Sequence, residues 1–268
     1  MASVLEELRA FIFTITDWLL LMAVFTIFFF TCNIAPVEVL GHTTLLPVPS
    51  EPSFAASLFS MMAEDIAPAS VPLVVTSPLA AFAVQVKIAL FLAFLFTSPV
   101  FLARLLSYLA PALYRHELRI VLILVTPLSL LFFFGMVFGY LFVVPPTFTA
   151  LYSFTAPIGV TAFLDAGEFI GMTIALVCAT GAAFTIPVFM ALLSALGAVD
   201  ARFWWGNARM ALVCFLIVSA IITPDGSGVS MLILSLPVSL LYGGGAIICS
   251  GIERGRRGRQ DQRAMINQ

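Results

Sequence analysis

Long apolar intervals broken by short polar ones set the pattern of this chain. A helix rises 1.5 Å per residue, so about 20 apolar residues cross the hydrocarbon layer of a membrane. The charge-free interval from Trp18 to Val37, between Asp17 and Glu38, predicts a first span. A second takes in Leu79 to Leu106, after the turn-forming Pro68, Pro72 and Pro78. Lys87 and Arg104 fall near its two ends, where long side chains snorkel to water. A third runs from Ile120 to Val144 and stops at Pro145-Pro146, with Pro127 inside it predicting a kink or a shifted start. The fourth begins near Phe169, after Asp165 and Glu168, and carries Pro187 towards its far end. Met210 to Ile252 is divided by Thr223-Pro224-Asp225-Gly226-Ser227-Gly228, a cluster of breakers that reads as a tight turn and makes spans five and six a helical hairpin. The first arm of that hairpin has only about 15 residues, about 22 Å of helix against a hydrocarbon thickness of about 30 Å.

Six spans place both termini on one side, and the basic residues agree. Arg9, Arg104, Arg115, Arg119, Arg202, Arg209 and the tail residues Arg254, Arg256, Arg257, Arg259 and Arg263 all fall on the face that the termini share. Loops facing the cytoplasm or an organelle matrix are the ones enriched in Lys and Arg. The opposite face carries Glu38, Glu51, Glu64, Asp65, Asp165, Glu168 and Asp225, and only Lys87 approaches it, from within the second span. The outside segment Pro36 to Pro78 is proline-rich at both ends, and Phe54, Leu58, Phe59 and Met62 between them are spaced to line one side of an interfacial helix. The fold class expected is therefore all-α, a polytopic membrane domain over residues 1–250 followed by a basic, disordered tail over 251–268.

Composition fixes the same class independently. The 268 residues are 62% hydrophobic and 10% charged, with 26 Phe and mean hydropathy +1.12, whereas a soluble domain carries about 25% charged residues. Cys32, Cys178, Cys214 and Cys249 are scattered through apolar runs without a CxxC pair, which argues against a disulfide framework or a thiolate metal site. His116 is inside and His42 outside, so they cannot share one metal or haem. No catalytic constellation, cofactor site or nucleic-acid-binding pattern emerges.

Against this background Ser107 to Arg119 is a polar island, and each charge left at mid-bilayer costs about 2.5 to 3.5 kcal/mol on insertion scales. The charge asymmetry makes it an inside loop. Its core, Leu109-Ala110-Pro111-Ala112-Leu113-Tyr114-Arg115-His116-Glu117, resembles the first inside loop of the TatC family, the multispanning core of the twin-arginine protein translocase, with its (F/Y)-x-A-P-A-L-(Y/F)-x-x-E pattern. Leu5-Glu6-Glu7-Leu8-Arg9 resembles the family's amino-terminal H-L-x-E-L-R, Leu131 to Tyr140 resembles its third span, and Thr223-Pro224-Asp225 resembles its outside turn between spans five and six. The four matches occur in family order and cover nearly the whole chain.

The resemblance implies a receptor for twin-arginine signal peptides that supports transport of folded proteins. Two adjacent guanidinium groups are planar forks of donors whose natural partners are carboxylates. Glu7 and Glu117 are the candidate acceptors, with Tyr108 and Pro111 beside them, and Pro224 and Asp225 form the functionally sensitive turn. The implied partners are signal peptides, single-span TatA- and TatB-like subunits, further copies in a larger complex, and membrane lipid. Taken by themselves, Glu117 pairs as readily with Arg115 or Arg119, Glu7 caps the first helix, and Pro111 and Pro224 form turns. One departure stands out. Bacterial members carry a glutamate two residues before a proline in the fourth span, an intramembrane contact to the partner subunit; here Thr185 stands there, in Phe184-Thr185-Ile186-Pro187, where its hydroxyl is expected to satisfy a carbonyl freed by Pro187.

Abundant Phe, a single lysine and the missing glutamate resemble the plant mitochondrial form of the family, and no presequence is evident, so the expected home is the mitochondrial inner membrane, with the bacterial plasma membrane as the alternative. Two other functions fit a hydrophobic chain: a secondary transporter, against which no internal repeat is found, and a structural subunit of a respiratory complex, which leaves the inside carboxylates unexplained.

Overall fold

In a computed structural model the residues described are 2–39, 42–49, 52–66, 72–109, 118–153, 163–222 and 228–266, with the backbone alone described at 2–14, 34–39, 42–49, 104–109, 118–124, 222, 229–230 and 256–266. Their order is α1 (Ala2–Thr31), β1 (Cys32–Val39), β2 (His42–Pro49), α2 (Phe54–Ile66), β3 (Leu73–Val74), α3 (Pro78–Leu109), α4 (Leu118–Phe138), a π-helical turn (Gly139–Val143), α5 (Val144–Ser153), β4 (Leu164–Asp165), α6 (Ala166–Phe184), α7 (Ile186–Leu196), α8 (Ala201–Gly206), α9 (Ala208–Ile222) and α10 (Val229–Ile266). Among the described residues, four stretches are long and apolar enough to cross a membrane: Pro78–Ala103, Val125–Ser153, Ala166–Leu196 and Met231–Gly255. Shorter apolar helices at Ile15–Thr31 and Ala208–Ile221 complete the six expected spans, and α9 is the short fifth, at 15 residues.

The chain forms two compact units. The first comprises residues 1–104 and 152–174. Here α1 faces α3 through aromatic rings: Trp18 lies 4.5 Å from Phe101, Phe25 stacks on Phe96 with the rings 6° from parallel, and Phe30 meets Phe82 edge-on at 5.5 Å. Phe29 also touches Phe54 of α2 at 5.6 Å, and α2 buries Ala55, Met62 and Ile66, so the helix predicted between the proline clusters is present with an apolar face turned inward. Lys87 donates to the carbonyl of Gly167 at 3.1 Å. Asp165 caps α6 by accepting from the amides of Gly167 (2.8 Å) and Glu168 (3.2 Å), two donors that the first helical turn would otherwise leave unpaired. The short parallel pair β3–β4, with Leu73 opposite Leu164, lies in the same unit.

The first span differs from expectation at its end. The helix stops at Thr31, and Cys32–Val39 pairs antiparallel with His42–Pro49, from Cys32 opposite Pro49 to Val39 opposite His42. Pro36 has no amide hydrogen to continue a helix, while a two-stranded ribbon has edges that tolerate proline.

The second unit comprises residues 105–151 and 175–268. Its helices approach through glycine. A Cβ on Gly135 would lie 2.7 Å from Cβ of Phe184, one on Gly139 would lie 3.0 Å from Thr180, and one on Gly181 would lie 2.7 Å from Cγ of Met136 and 3.2 Å from the carbonyl of Phe132. These contacts lock α4 and the π-helical turn against the second half of α6. On α10, Gly245 fits against Pro187 and Met190 of α7, where a Cβ would be 3.1 Å from each.

Two expectations about this unit need correction. The third span does not stop at Pro145-Pro146: the five-residue π turn, in which the amide of Val144 donates to the carbonyl of Gly139, shifts the hydrogen-bond register, and the helix continues to Ser153. Beyond the prolines Thr147 donates to the carbonyl of Val143 (2.7 Å) and Thr149 to that of Pro145 (2.9 Å), each hydroxyl bonding back onto its own helix. Pro127 sits inside α4, which runs from Leu118 to Phe138. The tail expected to be disordered is instead the end of α10, helical to Ile266, because it carries on an established helix with Arg, Gln and Ala, all good helix formers.

Replacing Gly181 by Leu is expected to cost about 1–3 kcal/mol by overpacking, read as a lower thermal unfolding midpoint of the full chain in detergent. Gly243→Ala, whose new Cβ would meet nothing within 4 Å, should leave that midpoint unchanged or raise it.

Candidate functional site

The predicted recognition residues distribute unevenly over the described structure. Glu7 lies on α1 and Tyr108 in the last turn of α3, both on segments where only the backbone is described. Pro111, Glu117, Pro224 and Asp225 lie outside the described residues, in 110–117 and 223–227. Thr185 is fully described. It sits between α6 and α7, 7% exposed, with its backbone still in the helical region. Its amide and its hydroxyl both donate to the carbonyl of Ala182, at 3.1 and 2.6 Å. The hydroxyl does not bond the carbonyl expected: Pro187 leaves Ala183 without its donor, whereas Thr185 bonds Ala182, one residue earlier, which its own amide also reaches. A side chain whose hydroxyl bonds its own helix presents no charge to a neighbour.

The most elaborate polar construction in the described structure is at the basic end of the second unit, where α7 finishes, α8 crosses and α10 leaves the apolar region. Gly197 ends α7 in the left-handed region at φ 77°, and the amides of Gly197 and Ala198 return to the carbonyls of Ser194 and Leu193. Only a residue without Cβ takes that turn freely. The chain then enters α8, whose preceding Asp200 makes no side-chain cap. The cap comes from 52 residues away: Glu253 on α10 accepts from the amide of Ala201 at 3.0 Å.

Three further bonds fix α8 from both sides. Trp204 donates to the hydroxyl of Ser194 on α7 (3.0 Å), Tyr242 of α10 donates to the carbonyl of Trp204 (2.8 Å), and Trp205 donates to the hydroxyl of Ser250 on α10 (3.2 Å). Beneath them Met190, Ala201, Tyr242, Ala246 and Cys249 form one buried cluster. The aromatic groups follow the usual logic of a membrane interface, apolar body inward and polar tip satisfied. The outcome is a rigid platform carrying Arg202, Arg209 and Arg254, all exposed. Its chemistry suits anions; for a guanidinium group it is repulsive.

Sequence reasoning missed Glu253, Ser194, Trp204 and Tyr242. Trp204-Trp205 between two spans was a visible interfacial signal, whereas the pairing of Glu253 with Ala201 had none.

The comparisons with known proteins fit this architecture. The Sec-independent protein translocase protein TatC of Cenarchaeum symbiosum (strain A) is 34% identical over 230 residues, covering 85% of this chain and 87% of its own length. That of Aquifex aeolicus (strain VF5) is 31% identical over 193 residues, covering 70% of this chain and 79% of its own. A crystal structure of the twin-arginine translocase receptor TatC superposes with a TM-score of 0.68 at 26% identity, covering 93% of this chain and 99% of that one. The family model for TatC, Sec-independent protein translocase protein, matches residues 3–237, and the chain therefore belongs to the TatC family.

Proposed function

We propose that this protein is the receptor subunit of a Sec-independent twin-arginine translocase, binding signal peptides at its basic face and supporting the passage of folded proteins across the membrane. The observation that carries the reading is the match to a TatC receptor structure over 93% of this chain and 99% of that chain. Glu7 on α1 and Glu117, which directly precedes α4, are the acceptors for the two guanidinium groups of the signal, and Tyr108 and Pro111 contribute to the same binding site. Useful affinity needs partial burial at headgroup depth, because fully exposed ion pairs contribute only about 0 to 1 kcal/mol. The signal's apolar stretch packs along the spans and supplies the remainder. Pro224 and Asp225, in the chain between α9 and α10, are the second functionally sensitive position.

Both termini lie on the face that gathers the arginines, the cytoplasmic or matrix side. Further copies of the chain and single-span TatA- and TatB-like subunits complete the complex. The uncharged Thr185 makes the contact at this depth one of packing and not of charge. The wealth of Phe, the single Lys and Thr185 favour the mitochondrial inner membrane as its home.

Crosslinking a twin-arginine signal peptide to the purified full chain tests the assignment. Glu7→Ala and Glu117→Ala should each weaken capture by about 10- to 100-fold, the worth of a hydrogen-bonded charge, and replacing the peptide's arginine pair should do the same. Capture indifferent to both glutamates and to both arginines overturns the receptor reading. Thr185→Glu places a carboxylate at a buried site; it should lower the thermal midpoint of the isolated chain and raise the amount of single-span subunit that co-purifies with it.

A further inference from the structure

The platform at the basic end of the second unit holds an open cleft of about 350 Å³ lined by Ala201, Arg202, Trp205, Ser250, Glu253 and Arg254. Two guanidinium groups flank it from different helices, α8 and α10. Among the described residues neither has a hydrogen-bond or ion-pair partner. The one carboxylate in the cleft, that of Glu253, already accepts from the amide of Ala201. Glu253 keeps its charge while it caps α8, so two guanidinium groups against one carboxylate leave one net positive charge in the cleft, whose lining also holds Trp205 bonded to Ser250.

The surroundings decide what kind of anion fits. Ile247, Ser250 and Arg254 lie three and four residues apart on one face of α10, and Arg202 and Trp205 share a face of α8. Ile247 is 63% exposed and Trp205 53% exposed. One helical turn before Ser250, Ile247 thus offers exposed apolar surface on the membrane-spanning stretch Met231–Gly255 beside the cleft. A free anion would use only the charged mouth. A glycerophospholipid uses both parts, its phosphate between the arginines and its acyl chain over Ile247 and the Trp205 ring.

We propose that Arg202 and Arg254, with Trp205 and Ser250, form a binding site for the headgroup of an anionic phospholipid in the leaflet at the basic face. Guanidinium forks suit phosphate oxygens, and the site is rigid before the lipid arrives, so little side-chain order is lost apart from the two arginine stems. Bound there, a lipid would brace α8 against the end of α10, next to the cap that Glu253 provides.

The test is native mass spectrometry of the detergent-purified full chain mixed with phosphatidylglycerol or phosphatidylcholine, with a thermal unfolding midpoint as the second readout. Phosphatidylglycerol should be retained over phosphatidylcholine and should raise the midpoint. The double variant Arg202→Gln/Arg254→Gln, at two exposed positions, should bind phosphatidylglycerol about 30-fold more weakly, as expected from the loss of two charges near an anionic surface. Arg209→Gln, an exposed arginine outside the cleft, should bind as the parent does. Unchanged binding in the double variant, an equal loss in Arg209→Gln, or no preference between the two lipids overturns the proposal. Displacement of the lipid by millimolar inorganic phosphate, or an equal rise in midpoint from phosphate alone, overturns it in favour of a simple anion site.

Discussion

Close approach of helix backbones at glycine is the constraint on which the second unit depends. In a bilayer, apolar surface gains little by leaving lipid for protein, so helices associate through contact quality and not through escape from water. Gly135 and Gly139, one turn apart on the same face, and Gly181 opposite them remove the side chains that would hold α4 and α6 apart. Phe184 and Met136 then close over the gap. Gly245 does the same where α10 meets α7. The first unit solves the same problem with bulk: Trp18, Phe25, Phe29 and Phe30 meet the aromatic rings of α3.

Helices this rich in proline need a second device. Each proline leaves a carbonyl without its donor, and in hydrocarbon no water replaces it. Hydroxyls take up the role nearby: Ser98 bonds the carbonyl of Leu95, the one that Pro99 cannot reach, and Thr185 bonds Ala182 at the α6–α7 break. At Pro145-Pro146 the chain uses register instead, widening one turn to the π form so that the helix survives two prolines in succession. Thr185 is consequently explained twice, as a local hydrogen-bond donor and as the reason that the span lacks a charge at this depth.

The basic end combines these features into a surface with chemistry. A six-residue helix would not stand by itself in water or at an interface, since nucleating a turn costs more than so few bonds return. Here α8 is held by Glu253 at its start and by Trp204, Trp205 and Tyr242 along its length. Rigidity of the scaffold is what turns Arg202 and Arg254 from solvated charges into the two walls of a cleft.

Hydropathy determined the six spans, the short fifth one and the helix between the proline clusters, because these follow from residue-by-residue cost in hydrocarbon and need no partner. The motif wording around Pro111 and Glu117 determined the family. What sequence pattern could not supply were the outcomes that depend on groups far apart in the chain or on hydrogen-bond register. The hairpin replaced the last turns of the first span because Cys32–Val39 found a partner strand in His42–Pro49. The helix passed through Pro145-Pro146 because one π turn realigned its ladder, and the tail stayed helical because α10 was already nucleated. The cap of Ala201 by Glu253, 52 residues on, and the pairing of Arg202 with Arg254 across a cleft were decided by tertiary structure alone, since only packing brings those side chains to one place.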